Sequence, residues 1–209
     1  IADAWYDRAE ARLEEYLERA ERPIASVGDG MATLRLLDVS PERIACVAED
    51  RGRLDERKGV TFKGLSLDLR TFDEDDRVAV DFLLEHGIDW DEHPWERESC
   101  GSFLAFIAVS FVRSAEDIEK AKRYIEDSVV ERLRPRFGHM GEQELRREAR
   151  NFAPGGIAKI ETRDATEDIE RIMDIADGAM VARGDLALQI GPHNVPGFQK
   201  RLIRLCNGR

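Results

Sequence analysis

The chain has little that would draw it to polyanions or to lipid. Acids outnumber bases, 43 Asp and Glu against 32 Lys and Arg, for a formal net charge of −11. Loose binding to nucleic acid or to anionic membranes needs a basic footprint, so this balance argues against both. No run of about 18 uncharged apolar residues occurs, so no transmembrane helix is expected. The N-terminus lacks the basic-then-apolar layout of a secretory signal, and it lacks an initiating Met, so a processed, trimmed or partial chain is expected. Cysteine is scarce: Cys46, Cys100 and Cys206 are odd in number and far apart. That excludes a disulfide framework and a cysteine metal cage, and it fits a reducing cytoplasm. What remains is a charged, soluble type of composition, 42% apolar and 36% charged over 209 residues. This length suffices for one sizeable core, or one core with a small satellite.

Hydrophobic spacing divides the chain. Residues 3–22 place Trp5, Ala9, Leu13, Tyr16, Leu17 and Ala20 on one side of an amphipathic helix that Pro23 ends, and packing on the protein body is its expected role. From 24 to 58 the pattern becomes a small β meander: "ASVGDG" reads as a turn, followed by the alternating strands "ATLRLLDV" and "RIACVAED". Helical and strand patterns then alternate. Residues 71–87 read as a helix with Thr71 or Asp73 as N-cap and Gly87 as its stop. "FLAFIAVSFVR" reads as a buried strand running to Arg113. "SAEDIEKAKRYIED" reads as a helix capped by Ser114 with Asp117 as partner. "GGIAKIE" is a strand, "ATEDIERIMDIA" a helix, "DGAMVAR" a strand, and "VPGFQKRLIRLCN" a last helix starting near Pro196. This alternation predicts parallel βαβ units, hence an α/β fold. Segments 91–103 and 128–155 fall outside it and read as insertions; the arginines of "EQELRREAR" read as a solvated helix face.

The charges of interest lie at strand ends. On a strand through 155–161, Lys159 and Glu161 share a face. Arg183 and Asp185 are expected to share one at the end of the next strand, with Gly184 between them, and Arg113 closes the preceding strand. In parallel α/β folds the carboxyl ends of the strands are where ligands bind and where charge is tolerated. Two carboxylates with no histidine or cysteine nearby suit a hard cation, Mg²⁺ or Mn²⁺. A lysine beside it suits a developing oxyanion or a phosphoryl group. The same spacing fits two structural ion pairs, Lys159–Glu161 and Arg183–Asp185, and spacing alone leaves the two readings level. An adhesion role for the Arg-Gly-Asp triplet does not suit a buried strand end.

The segments "ERKGVTFKG" (56–64), "VSFVRSAEDIEKAK" (109–122), "IAKIET" (157–162), "DGAMVARGDLALQI" (177–190) and "VPGFQKRLIRLCN" (195–207) resemble the pyruvate kinase family in order and interval. The resemblance implies a partial (β/α)8 TIM barrel of the pyruvate kinase type, holding the family's fourth to sixth barrel strands, with part of its small β-rich cap domain. The expected layout is an N-terminal helix over 1–22, a cap remnant over 23–58, and a partial barrel over 59–209 with insertions at 91–103 and 128–155. It further implies phosphoryl transfer from phosphoenolpyruvate to ADP, giving pyruvate and ATP in glycolysis. Lys159 would be the catalytic lysine and would also touch the substrate. Glu161 and Asp185 would bind the divalent metal. Gly184 and Asp185 would meet the substrate, and Lys58 would face the nucleotide. A K⁺ ion belongs to the same expectation, although its usual ligands come from strands outside this chain. Partners are then small molecules rather than nucleic acid or membrane, and a cytoplasmic homo-oligomer is expected. Thr61, Lys63, Ala187 and Gln189 depart from the family's usual residues, which bears on packing and cap geometry more than on the metal ligands. Two alternatives share the fold: a metal-dependent aldolase or lyase of the phosphoenolpyruvate/pyruvate type, which keeps the acids without needing Lys159 or the nucleotide side, and a non-catalytic regulatory remnant.

Overall fold

The fold is that of a computed structural model, which describes residues 2–28, 30–40, 42–52, 54, 56, 58–65, 71–88, 90 and 104–208, with side chains from Ala9 onward. The segment 91–103 and the side chain of Trp5 therefore lie outside the described residues. In chain order the elements are α1 (Ala2–Arg19), β1 (Ile24–Val27), β2 (Ala32–Ser40), β3 (Arg43–Ala48), β4 (Val60–Phe62), α2 (Glu74–Gly87), β5 (Phe106–Val109), α3 (Ala115–Phe137), α4 (Glu142–Phe152), β6 (Gly155–Ile160), α5 (Arg163–Glu167), α6 (Ile169–Ile175), β7 (Gly178–Val181), α7 (Arg183–Ile190) and α8 (Val195–Asn207). The result is a mixed α/β chain in two compact units. One comprises Ile1–Leu69, Glu161–Thr166 and Val181–Arg204; the other comprises Arg70–Ile160, Glu167–Met180 and Leu205–Arg209. Among the described residues no helix is long and apolar enough to cross a membrane.

In the first unit a four-stranded sheet runs in the order β3-β2-β1-β4, and every pairing is antiparallel. The expected meander is present as β2 and β3. The stretch read as a turn from Ala25 is instead a strand, and the reversal comes after it, where Gly28 and Gly30 take φ of 60° and 92°. Only glycine adopts such values without steric cost. The strand at 60–62, beyond the expected boundary at 58, pairs with β1 in this same sheet. Helix α1 packs on it as its apolar stripe requires: Leu13 joins Ala25, Leu36 and Phe62 in a buried cluster flanked by Tyr16 and Leu17. The Tyr16 hydroxyl accepts from the Ile24 amide at 3.0 Å and lies 2.7 Å from the Lys63 carbonyl, to which it donates. One side chain thus joins the helix to β1 and to the residue that follows β4.

The second unit is built on a three-stranded sheet in the order β5-β6-β7, with β5 and β6 parallel, as the alternation predicts. Helix α2 starts at Asp73, whose side chain takes the amides of Asp75 and Asp76 while Asp76 returns a bond to the Asp73 amide. Helix α3 is longer than the expected 114–127 and runs unbroken to Phe137, burying Ile118, Ile125, Val129 and Leu133. Ser114 is its N-cap but makes no side-chain capping bond. Asp117 reaches one residue further back instead and accepts from the Arg113 amide at 3.0 Å. Helix α4 inserts Leu145 and Ala149 into the interior. Its arginines are not merely solvated: Arg146 pairs with Asp127 at 2.7 Å and Arg150 with Glu126 at 3.1 Å, both on α3.

Three further sequence expectations need correction. The strand read as reaching Arg113 ends at Val109, because the chain turns at Ser110 and Phe111, the latter with φ of 53°. The helix read over 165–176 is two helices, broken at Asp168, whose carboxylate accepts from the Ala115 amide at 2.8 Å. The strand read over 177–183 ends at Val181, and Arg183–Ile190 is helix α7.

Candidate functional site

The geometry is set by β6. Its two leading glycines are positions of close approach: a Cβ on Gly155 would meet the Phe106 ring at 2.7 Å, and one on Gly156 the Lys122 side chain at 2.8 Å. This end of the sheet is fastened by Asp177, which accepts from the Gly156 amide and pairs with Lys122, both at 2.7 Å. From there burial alternates along the strand. Gly156, Ala158 and Ile160 are buried, and Ile157 and Lys159 are half-buried on the other face. A lysine is affordable only on that second face, because an ammonium with no access to water would need full compensation.

Lys159 thus reaches the carboxyl end of β6 on its open side, as the sequence predicts. There its Nζ donates to the Ser110 Oγ at 2.9 Å. Sequence reasoning did not identify Ser110. The signal lies in the register: Val109 pairs with Ala158, so the next residue of each strand is Ser110 beside Lys159.

Glu161 departs from the expectation. The strand ends at Ile160, so Glu161 is not the next alternate position of a continuing strand, and it does not share the half-buried character of Lys159. Its residue is only 2% exposed, and apart from Thr71 it is the one buried polar or charged residue among those described. Thr162 then caps α5, its hydroxyl accepting from the Ala165 amide at 3.1 Å. Arg163 donates to the Gln189 carbonyl at 2.8 Å, which ties α5 to the end of α7.

The second charged group is rearranged further. Because Arg183–Ile190 is helical, Arg183 and Asp185 do not share the face of a strand. Asp185 lies in the first turn of α7, where an acid is favoured by the exposed amides of a helix start. Gly184, beside it, is exposed, and a Cβ there would meet nothing within 4 Å. Arg113, expected at a strand terminus, precedes α3 and pairs with Asp117 at 3.3 Å. Lys58 is exposed, two residues before β4. A separate cleft of about 1000 Å³ in the first unit is walled by residues including Ser26, Thr61, Lys63, Gln189 and His193; Lys58, Glu161, Gly184 and Asp185 do not line it.

Glu161 and Asp185 offer carboxylate oxygens as donors. Among the described residues no group of three or more His, Cys, Asp and Glu forms a metal cage. This donor chemistry suits Mg²⁺ or Mn²⁺, which take one or two carboxylates and complete their shell with water and substrate oxygens. It does not suit zinc, which wants three or four nitrogen or sulfur ligands.

Comparison with known proteins gives a consistent result. The family model described as pyruvate kinase, barrel domain, matches residues 22–133 and 148–209. A pyruvate kinase of Agrobacterium vitis is 33% identical over 180 residues, 86% of this chain and 29% of that protein. A pyruvate kinase of Sporosarcina psychrophila is 30% identical over 189 residues, 90% of this chain and 26% of its own length. One of Bacillus licheniformis is 29% identical over 181 residues, 86% of this chain and 25% of its own. The chain therefore spans less than a third of the length of the curated relatives it matches.

Proposed function

The chain belongs to the pyruvate kinase family, and from that premise we propose that it carries the phosphoryl-transfer face of a partial (β/α)8 barrel, with a cap-domain remnant over 23–58. The reaction is transfer of the phosphoryl group of phosphoenolpyruvate to a terminal phosphate oxygen of ADP. The phosphorus–oxygen bond to the enol breaks, a new one to the nucleotide forms, and the enolate left behind takes a proton to become pyruvate. The setting is cytoplasmic glycolysis, in a homo-oligomer whose partners are these small molecules.

Lys159 is the catalytic residue in this reading. Its ammonium offsets negative charge on the transferring phosphoryl group and on the enolate oxygen, where a fixed cation helps most because the charge develops there. Glu161 and Asp185 hold Mg²⁺ or Mn²⁺, which supplies Lewis-acid neutralisation of phosphate charge. Gly184 offers its backbone to the substrate carboxylate together with Asp185, and Lys58 faces the nucleotide. K⁺ belongs to the same reading through ligands outside this chain.

Two observations support the proposal: a lysine on the open face at the end of β6, whose ammonium donates to Ser110 just past β5, and, two residues later in the chain, a glutamate that is 2% exposed.

The test is thermal melting with Mg²⁺ and phosphoenolpyruvate. A ligand at 100 times its dissociation constant stabilises by about 2.7 kcal/mol, so a clear rise in melting temperature is expected. Lys159→Met should remove the rise caused by phosphoenolpyruvate, abolish any phosphoryl transfer, and leave Mn²⁺ binding in place. Unchanged transfer in Lys159→Met would exclude the assigned role. Pyruvate formed without dependence on ADP would fit the aldolase or lyase alternative, and no stabilisation by either ligand would fit the non-catalytic one.

A further inference from the structure

We infer that Ser110 is a positioning residue for the Lys159 ammonium, and that the turn at Ser110 and Phe111 is built to hold it there. The inference rests on the reading of Lys159 as the catalytic lysine and adds a residue to that site.

The argument begins with register. Four consecutive pairs, from Phe106↔Gly155 to Val109↔Ala158, align β5 and β6 in parallel. Neighbouring strands lie close to 4.8 Å apart, so residues one step beyond the last pair stand side by side. Val109 and Ala158 are buried, whereas Ser110 and Lys159 both fall on the accessible face. The bond of 2.9 Å from Nζ to Oγ follows from that placement. A lysine side chain has four rotatable bonds, so committing one of its three N–H donors to a fixed acceptor narrows where the charge resides.

The acceptor is itself fixed. The strand ends at Val109, and the turn that follows carries Ser110 beside Phe111, whose φ of 53° is a left-handed conformation that an aromatic residue rarely takes. Such a backbone persists only where its surroundings over-determine it. Here the Phe111 carbonyl lies 3.2 Å from the buried Thr71 hydroxyl. The same hydroxyl lies 3.2 Å from Asp117 Oδ2, and its single hydrogen serves one of these acceptors at a time. Asp117 also takes the Arg113 amide at 3.0 Å and its Nε at 3.3 Å, so both sides of the turn are tied to the start of α3. Lys120 donates to the Phe72 carbonyl at 2.9 Å, which fixes the segment carrying Thr71. A chain of bonds therefore runs from helix α3 through the turn to the ammonium.

Nuclear magnetic resonance of the lysine ammonium groups tests this on the whole chain. The Lys159 signal is identified by its loss in Lys159→Arg. In the wild type its ammonium protons should exchange slowly enough with water to be seen; in Ser110→Ala that signal should be lost, and in Ser110→Thr, which keeps a hydroxyl, it should return. Backbone amide spectra and melting temperature should stay constant across the Ser110 variants, which separates positioning from a structural role. A Lys159 signal that persists unchanged in Ser110→Ala, or is lost equally in Ser110→Thr, would overturn the inference. Adding phosphoenolpyruvate with Mg²⁺ to the wild type should shift the Lys159 signal. Absence of that shift, with the Ser110 dependence intact, would count against the catalytic reading of Lys159 and not against its bond to Ser110.

Discussion

Tyr124 on α3 illustrates how much one side chain coordinates. Its hydroxyl donates to Asp81 Oδ2 at 2.7 Å, its ring meets Phe72 edge-on with centroids 5.5 Å apart, and the Arg77 guanidinium lies 5.2 Å from the ring centroid. Partial burial, with Asp81 beside it, raises the phenol's pKa above its ordinary value. The neutral form is therefore favoured in the folded state. Its stabilising contribution is fully present below the unfolded value of about 10 and is lost as pH rises through the higher folded value. Urea unfolding followed from pH 7 upward should show wild-type stability falling more steeply above about pH 10 than that of Tyr124→Phe. Parallel alkaline limbs for the two proteins would contradict this. At the same scale, Lys159 was legible from the sequence as a charge at the end of an apolar strand. Ser110 was not, because its role depends on the register between two strands more than 45 residues apart in sequence, and no local pattern encodes that pairing.

At the scale of elements, local chemistry succeeded where a helix announces its own start. Asp73 followed by three acids marked the beginning of α2, and the glycine pair at 155 and 156 marked that of β6. It failed at the short apolar run from Gly178 to Ile190, which holds a four-residue strand and then an eight-residue helix. Periodicity cannot separate strand from helix over so few residues, and no capping side chain marks the switch at Ala182. The placement of Arg183 and Asp185 changed with it. In segment 128–155 the arginines of α4 do lie on an accessible face, with Arg147 and Arg150 exposed, while its other face packs against α3 through Leu145, 2% exposed, and the fully buried Ala149. Leu145→Ala should cost about 2–3 kcal/mol, whereas Arg147→Ala, at a side chain 72% exposed, should stay within about 0.5 kcal/mol. Denaturant midpoints of the two variants check this, and equal losses would show that α4 is held by its charges and not by its apolar contacts.

At the scale of the whole molecule, composition and the quoted motifs made the α/β class and the family readable. The family model leaves residues 134–147 unmatched, from the last turn of α3 into α4. What the sequence did not reveal was the length of each strand, since tertiary contacts decide where a ladder stops: the Phe111 turn ends β5, and α7 follows β7 after a single residue. The functional account depends on cooperation between residues that the chain delivers separately, a lysine at the end of β6, a buried acid just past it, and an acid opening α7. The most direct measurement is Mn²⁺ titration, with phosphoenolpyruvate present, of the wild type, Glu161→Gln and Asp185→Asn. The account predicts that each substitution weakens Mn²⁺ binding by about tenfold or more; equal affinity in all three proteins would contradict it.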